Sequence, residues 1–344
     1  MKFVCYTDWN QLPKSAKVLF EKGEKESVFF SRPWFENLVA NSLEDNQLMR
    51  LACVIEGESV LAILPLMQQS SKNWYALRSH YTTLFTLLIT DNAQKKTLDC
   101  LAQGLRQLPI QGLQLYPFDE HDKTILLLQR AMESAGFECY RRFHSYSWFK
   151  RLEGVSFKTY MAARPGQVRN TITRKFRKLE REHSAHIRLY TNEDLQHAVA
   201  DYLLIHQASW KAFEPNLEEF VEGLVNHLSK QGWLRLAILY IDEQPAAAQI
   251  WFVVHKKASI FRLAYDETWK CYSPGSILTR YLMEHVIDVD KVEEIDYLYG
   301  NDAYKKEWMS DRRERWTLGC VFRHEPKGIF YQFSASLKNF FTAV

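Results

Sequence analysis

Hydrophobic positions along the chain fall into two kinds of run, and together they predict an α/β protein. Short apolar or alternating runs that end at turn residues are typical of strands, whereas apolar positions three and four apart are typical of helices. In the first half, Ser31 has the character of a helix N-cap, and Gly57 that of a hairpin turn. The predicted helices there are 31–39, 92–108 and 124–135, and the predicted strands are 48–55, 59–67, 112–116 and 145–151, with a further apolar run at 81–89.

The second half, from about Phe157 onward, shows a denser succession of strands and helices. Asp242 and Glu243 form a two-residue connection, so the strands on either side of them must be antiparallel. The later strands are joined through helices, which allows a parallel pair. Asn192 has the character of an N-cap for a long helix. The predicted helices are 167–182, 193–211, 217–230, 277–287 and 302–308, and the predicted strands are 186–190, 233–241, 245–255, 258–265, 294–298 and 315–322.

The element order of the first half is a looser version of the order of the second half. We therefore predict two tandem α/β (α+β) domains, each with a mixed central sheet flanked by helices. No repeat is evident in the sequence itself, so the duplication is inferred from element order alone. The predicted divisions are an N-terminal lobe at 1–155, a C-terminal domain at 156–325 and an aromatic-rich tail at 326–344, which either packs on the domain or rests on a membrane surface.

Composition narrows the functional classes. A chain of 344 residues that is 47% hydrophobic and 25% charged is ordinary for a soluble globular protein, and its net charge of +3 does not indicate a protein-wide nucleic-acid surface. The six cysteines include no C-x-x-C pair, which argues against a zinc site or a disulfide framework. Neither a secretory signal nor a membrane-spanning run is evident. We expect a cytoplasmic protein, with peripheral attachment to the inner membrane as the alternative.

The sequence Ser273-Pro274-Gly275-Ser276 carries the clearest chemical signal, because it follows a strand and opens a helix. The free N–H groups at the start of a helix form the positive end of its dipole, which makes this turn a candidate anion site. Gly275 would let the backbone approach a ligand closely. An ordinary N-cap with proline in the first turn is the other interpretation.

The element order resembles that of GNAT acyltransferases. The runs 261–266, 273–276 and 296–308 resemble a tandem-GNAT branch that includes CelD-type and FemAB-like proteins, as do 30–34 and 60–66 in the first lobe. The branch pattern D-x-x-x-G-x-x-x-Y-K is matched by Asp296, Gly300, Tyr304 and Lys305. The resemblance implies acyl transfer from acyl-CoA, or from aminoacyl-tRNA in some members. Many GNAT enzymes carry a longer glycine-rich turn, whereas this chain has the single Gly275.

The resemblance also implies catalytic roles. Tyr304 matches the tyrosine that protonates the leaving thiolate, so we expect it to be the general acid; the alternative is a core tyrosine bonded to Asp296 or to the backbone. Asp296 is either a base or, as we favour, the ion-pair partner of Lys305. Asp266 is the other candidate base, with capping of a local turn as the equal alternative.

Binding roles follow from the same region. Ser273, Gly275, Ser276 and Lys305 are the predicted contacts of the donor phosphates, with Lys305 acting as a point charge. Three residues are the candidate substrate contacts. Arg262 and Tyr265 flank the same edge, and Arg169 lies on a basic helix.

The predicted helix 167–182 is strongly basic. The helix carries six cations, namely Arg169, Arg174, Lys175, Arg177, Lys178 and Arg181, and Arg188 follows on the next predicted strand. They form either the solvated face of a connector helix or a patch for a phosphate-rich partner, such as an undecaprenyl-type or sugar-nucleotide acceptor, the CoA 3′-phosphate or tRNA.

We therefore expect a metal-independent N-acyltransferase that moves an acyl group, such as acetyl, from acyl-CoA to an amine of a sugar or small metabolite, in cell-surface polysaccharide synthesis. The first alternative is a FemAB-like aminoacyl transferase with aminoacyl-tRNA as donor. The second alternative is a non-catalytic binding module.

Overall fold

The computed structural model describes residues 1–91 and 95–322 of the chain. The predicted tail, 326–344, lies outside these residues. The helices are α1 Ala16–Glu26, α2 Arg32–Asn41, α3 Lys95–Gln107, α4 Lys123–Ser134, α5 Phe157–Ala162, α6 Gly166–Glu182, α7 Leu195–Gln207, α8 Leu217–Lys230, α9 Pro274–Asp288 and α10 Lys305–Trp308. The strands are β1 Lys2–Tyr6, β2 Leu48–Glu56, β3 Ser59–Gln68, β4 Asn73–Ala76, β5 Leu88–Ile89, β6 Gly112–Asp119, β7 Phe137–Arg151, β8 Ala185–Tyr190, β9 Leu234–Ile241, β10 Gln244–Val254, β11 Lys257–Tyr265, β12 Glu294–Tyr299 and β13 Asp311–Phe322.

Two compact units divide the chain. Of the described residues, the first unit comprises those of 1–144 together with Glu314–Phe322, and the second is Ser145–Arg313. The divisions therefore fall inside β7 and inside β13. The predicted domain limits at 155/156 and 325/326 stay predictions.

In the first unit the strand order is β1-β2-β3-β4-β6-β13-β7, with β5 paired to β3. β4 and β6 run parallel, while β1–β2, β2–β3, β3–β4 and β6–β13 are antiparallel. Helices α3 and α4 cover a core built from apolar side chains of β2, β3 and β6. The result is a mixed sheet with its own core, as predicted for this half.

In the second unit the strand order is β7-β12-β11-β10-β9-β8. β8 to β11 form an antiparallel series, and β11 and β12 are the parallel pair that the helical connection allowed. Asp242 and Glu243 have φ of 50° and 63°, as a tight two-residue hairpin turn requires. Apart from α5, which was not predicted, the order of helices and strands predicted for this half is confirmed.

Helix α9 is held by its apolar face. Leu278, Leu282 and Val286 are fully buried in the same core as Trp251 of β10 and Ile295 of β12. Full burial of a side chain of this size stabilises the fold by roughly 1.5–3 kcal/mol. This packing fixes the start of α9 relative to the strands on which it lies.

Several boundaries differ from the predictions. The helix predicted at 193–211 is α7, which ends at Gln207 because the Ser209 hydroxyl donates to the His206 carbonyl at 2.7 Å and turns the chain. The residue before α7 is Asp194, in a left-handed conformation without a side-chain cap, so Asn192 as N-cap was wrong. In the run 81–89 only Leu88–Ile89 pairs as a strand. β1, α1, β4 and α5 were not predicted.

Candidate active site

The parallel strands β11 and β12 part midway along their length. Their pairing covers only Lys257–Ser259 against Glu294–Asp296, and β11 then continues to Tyr265. Leu298 of β12 has φ of 56°, which turns this strand away from an extended path. The two strands therefore diverge on the side where they approach α9 and α10.

Residues 273–276, here called the α9 turn, lie at the end of this gap. Ser273 has φ of 58° and precedes α9, whose first residue is the buried Pro274. A Cβ added at Gly275 would lie 3.4 Å from Cδ1 of Tyr265, so a larger side chain there would press on the end of β11. The dipole of the 15-residue α9 has its positive end here.

A buried glutamine holds the α9 turn on the sheet. Gln249 of β10 donates from Nε2 to the Gly275 carbonyl at 2.9 Å and to Thr279 Oγ1 at 2.8 Å. Its Oε1 accepts from Trp251 Nε1 at 2.8 Å. Sequence reasoning missed Gln249, although a single polar residue within an apolar strand was a usable signal, since a fully buried amide must have partners.

Aromatic side chains lie beside the α9 turn. The ring of Tyr265 is 4.6 Å from that of Trp210, in the connection between α7 and α8. Trp210 is 51% exposed and Phe213 of the same connection is 88% exposed. Exposed rings of this kind can stack on an apolar or sugar-ring ligand.

Arg262 of β11 is 8% exposed and surrounded by protein partners. Its Nε donates to the Tyr202 hydroxyl at 2.7 Å, and Nη1 and Nη2 donate to the Glu214 carboxylate at 3.0 and 2.6 Å. Nη2 also lies 3.3 Å from His206 Nε2. The guanidinium is thus engaged by the fold itself; its role in substrate binding stays a prediction.

A second cation, Lys211, lies close to this arginine. Burial, together with the charges of Arg262 and Lys305, lowers the pKa of Lys211 to about 8, against the opposing effect of Glu214 and Asp302. Tyr202, His206, Lys211 and Glu214 gave no signal in the sequence, because their approach to Arg262 depends on how the α7–α8 connection folds.

Lys305 is buried at the end of β12. Its Nζ donates to the Tyr299 carbonyl and pairs with Asp302 Oδ2 at 3.0 Å. Burial lowers the pKa of Lys305. Gly300 has φ of 110°, and a Cβ there would lie 2.9 Å from both charged atoms, so this position requires glycine.

Asp296 is fully buried, with both carboxylate oxygens engaged. Oδ1 accepts from Ser147 Oγ at 2.6 Å and from the Leu298 N–H at 2.7 Å. Oδ2 pairs with Arg313 at 2.6 Å and Lys257 at 3.4 Å. The expected ion pair with Lys305 is corrected: Asp296 pairs with Arg313 and Lys257, whereas Lys305 pairs with Asp302. Through Leu298, Asp296 stabilises the bend of β12.

Tyr304 precedes α10 and is 41% exposed, so the alternative of a core tyrosine was wrong. Its ring meets the buried Tyr297 edge-on, with centroids 5.8 Å apart. Burial of part of the ring and the neighbouring Asp302 raise the pKa of Tyr304. The phenol is therefore protonated at neutral pH, although the raised pKa makes it a weaker acid.

Two further candidates lie on other elements. Asp266 follows β11 and accepts from the N–H and the hydroxyl of Thr268, each at 2.8 Å, which is the capping contact considered as its alternative role. Arg169 is exposed on α6. Of the predicted site residues, Gly275 and Tyr265 adjoin each other, Tyr304 and Lys305 are neighbours at Asp302, and Asp296 belongs to a separate charge cluster.

Residues 166–306 match the sequence model of a family described as acetyltransferase (GNAT) domain. No curated protein matches the chain. Among solved structures, FemX is similar with a TM-score of 0.62 and 9% identity, over 96% of this chain and 99% of that one. The C-terminal domain of a putative lysylphosphatidylglycerol synthetase from Agrobacterium fabrum has a TM-score of 0.56 and 13% identity, over 95% of this chain and 96% of that one. A tandem GNAT protein from the clavulanic acid biosynthesis pathway has a TM-score of 0.51 and 11% identity, over 92% of this chain and 97% of that one.

The predicted mixed α/β fold of tandem GNAT type is confirmed. The match over residues 166–306 supports an enzyme of the acyltransferase class. Among the described residues, no group of three His, Cys, Asp or Glu side chains could hold a metal ion. No helix within 1–91 and 95–322 is long and apolar enough to cross a membrane.

Proposed function

We propose that the chain is an N-acyltransferase that uses acyl-CoA and acylates an amine of a sugar or small metabolite, in cell-surface polysaccharide synthesis. The observation that carries this proposal is the parting of β11 and β12 beside the α9 turn. Such a gap leaves strand N–H and C=O groups available to an extended donor arm, while the helix start faces an anion.

The α9 turn fits a pyrophosphate group. The backbone N–H groups at its helix start are donors, and Gly275 leaves the approach open because it has no Cβ. Ser273 and Ser276 add hydroxyl donors. Lys305 is engaged with Tyr299 and Asp302, so its predicted phosphate contact would require a change of partner. Acyl-CoA would supply the thioester that is attacked.

Tyr304 is the proposed proton donor. In the reaction the amine nitrogen bonds to the thioester carbonyl carbon, the carbon–sulfur bond breaks, and the leaving thiolate takes a proton. The Tyr304 hydroxyl is protonated at neutral pH and exposed, so it is the group that we propose to supply this proton. The proton lost by the amine would pass to water or to Asp266, whose carboxylate is half-buried, rather than to the enclosed Asp296.

The acceptor region we propose is the connection between α7 and α8. Trp210 and Tyr265 offer adjacent ring faces, and Phe213 extends the apolar surface. Lys211 lies beside Trp210, with Nζ 5.8 Å from the ring centroid. Rings next to a cation suit a sugar or metabolite that also carries an acidic group.

Binding of acetyl-CoA and of a longer acyl-CoA, measured by calorimetry, tests the donor. Gly275→Trp should abolish binding, because the new side chain would fill the approach to the α9 turn. Gly166→Trp is the matched control, since Gly166 is the first residue of α6 and a Cβ there meets only Arg169, at 3.8 Å. Unchanged affinity in Gly275→Trp would reject the α9 turn as the phosphate site.

Turnover tests the acid role. Tyr304→Phe should lower kcat by roughly a hundredfold or more, the usual contribution of a positioned acid, with donor affinity retained. Tyr299→Phe is the control, because Tyr299 is similarly exposed, at 39% against 41%. Unchanged turnover in Tyr304→Phe would reject the role.

Transfer from aminoacyl-tRNA is the second candidate. Arg169, Arg174 and Arg177 are exposed on α6 and could contact a phosphate backbone. If this candidate is right, tRNA should bind with an affinity that falls steeply as salt rises, and Arg174→Gln with Arg177→Gln should reduce that slope. Binding of acyl-CoA without binding of tRNA would exclude it.

A further inference from the structure

The segment directly before the α9 turn is fastened to the basic helix α6. Tyr272, which immediately precedes Ser273, is 8% exposed. Its hydroxyl donates to Glu182 Oε2 at 2.9 Å and lies 3.0 Å from His183 Nε2. The other ring nitrogen, His183 Nδ1, lies 2.7 Å from Asp242 Oδ2. A continuous series of hydrogen bonds thus joins the β9–β10 turn to the α9 turn.

Ring and lysine contacts reinforce this attachment. His183 packs edge-on against Trp269 and Tyr272, with centroids 5.1 and 5.4 Å apart. Lys178 lies 5.0 Å from the centre of the Tyr272 ring, and Lys175 donates to the carbonyl of the residue before Tyr272. The inner side of α6 therefore fixes the end of the 3₁₀ helix Glu267–Tyr272, and with it the left-handed Ser273.

We propose that Tyr272 and His183 are positioning residues for the acyl donor, and that their hydrogen bonds hold the α9 turn in place. This inference rests on the proposed binding of the donor at that turn. It concerns residues that do not touch the donor and act through the backbone of Ser273.

Hydrogen bonds reach the segment before the α9 turn from two elements. The His183 ring bonds Asp242 through Nδ1, and the Tyr272 hydroxyl donates to Glu182.

Charged side chains surround His183. Asp242 faces it from the β9–β10 turn and Glu182 from the end of α6, while Lys178 and Arg181 of α6 pair with Glu182 at 3.6 and 2.9 Å. Tyr272 remains a phenol, because its hydrogen bond to Glu182 raises its pKa to about 12.

The test is donor affinity by calorimetry with acetyl-CoA, together with kcat and KM, in the full chain. Tyr272→Phe should weaken donor binding roughly fivefold to tenfold, as expected for one lost hydrogen bond, with kcat little changed. His183→Gln should weaken binding less, because its amide preserves part of the affinity through Asp242. His186→Gln, an exposed histidine on β8, should behave as wild type.

The outcomes separate the two proposals. If Gly275→Trp abolishes donor binding but Tyr272→Phe binds as wild type, the positioning role is overturned and the donor site stands. If the wild-type chain binds no acyl-CoA, the proposed function fails and this inference fails with it. Donor binding as in wild type by His183→Gln, with weakened binding by Tyr272→Phe, would overturn the role of His183.

Discussion

The charged partners of Arg262 make a quantitative prediction possible. Arg262→Met removes the guanidinium but keeps an apolar stem of similar length, so the loss should reflect polar contacts rather than packing. The substitution strands Glu214, which is 19% exposed as a side chain, next to Tyr202 and His206. The site would then hold a largely enclosed carboxylate without its bidentate partner.

Removing one partner of a buried pair generally costs about 3–5 kcal/mol, because the remaining charge is left uncompensated. Glu214 retains some solvent contact and His206 at 3.3 Å, so we expect a loss near the lower end, about 3 kcal/mol. Replacing both residues should cost less than the sum of the single changes. Arg262→Met combined with Glu214→Met should therefore show a coupling of at least about 1.5 kcal/mol.

The assay is equilibrium urea denaturation of the full chain, followed by far-UV circular dichroism. Arg188→Met is the matched control, since Arg188 pairs with Asp194 on an exposed surface and should show no measurable loss. If Arg262→Met is no more destabilising than Arg188→Met, or if the double substitution is additive, the ion pair does not stabilise the fold. Arg262 would then be available to substrate, as the sequence suggested.

Three further predictions concern single positions. Gly300→Ala should destabilise the chain by about 1–2 kcal/mol more than Gly232→Ala in urea, because both have positive φ but only the first places a Cβ against an ion pair. Lys211→Met should stabilise the fold at pH 7, and the fall in the pKa of Lys211 to about 8 sets an upper bound of about 3 kcal/mol on that gain. The gain should disappear as pH rises from about 8 to 10.4, because in that range the unfolded chain holds a proton that the folded chain has lost. An equal gain at pH 7 and pH 10.5 would contradict this prediction. Burial, with two nearby arginines, lowers the pKa of His144 to about 3, so stability should fall as pH drops from about 6.5 toward 3, and His144→Leu should reduce that slope in denaturation midpoints.

The sequence predicted the second unit closely because its signals are local. The two-residue turn at Asp242 and the glycine that ends α8, Gly232, specify backbone conformations that neighbours alone can dictate. The run 81–89 shows the limit of such reasoning. Phe85 and Leu87 are buried, yet they lie outside any strand, because an apolar run reports burial and not hydrogen bonding.

The candidate site was less predictable, because its contacts join distant positions. Asp296 pairs with Arg313 on the following strand rather than with Lys305, although the spacing in the sequence favoured Lys305. Glu214 reaches Arg262 across 48 positions, from a connection without regular structure. Charge partners of this kind depend on tertiary packing, which neither periodicity nor motif spacing encodes.

The cations of the basic helix α6 lie on two faces that make different contacts. Lys175 and Lys178 are half-buried and contact the segment before the α9 turn, whereas Arg174 and Arg177 are exposed. The number of cations therefore overstates the positive surface that α6 offers to a partner. A tRNA contact on this helix would depend on its outer arginines, while the inner lysines contact the segment before the proposed donor turn. The two proposals thus involve different faces of the same helix, so substitutions on one face can be interpreted without disturbing the other.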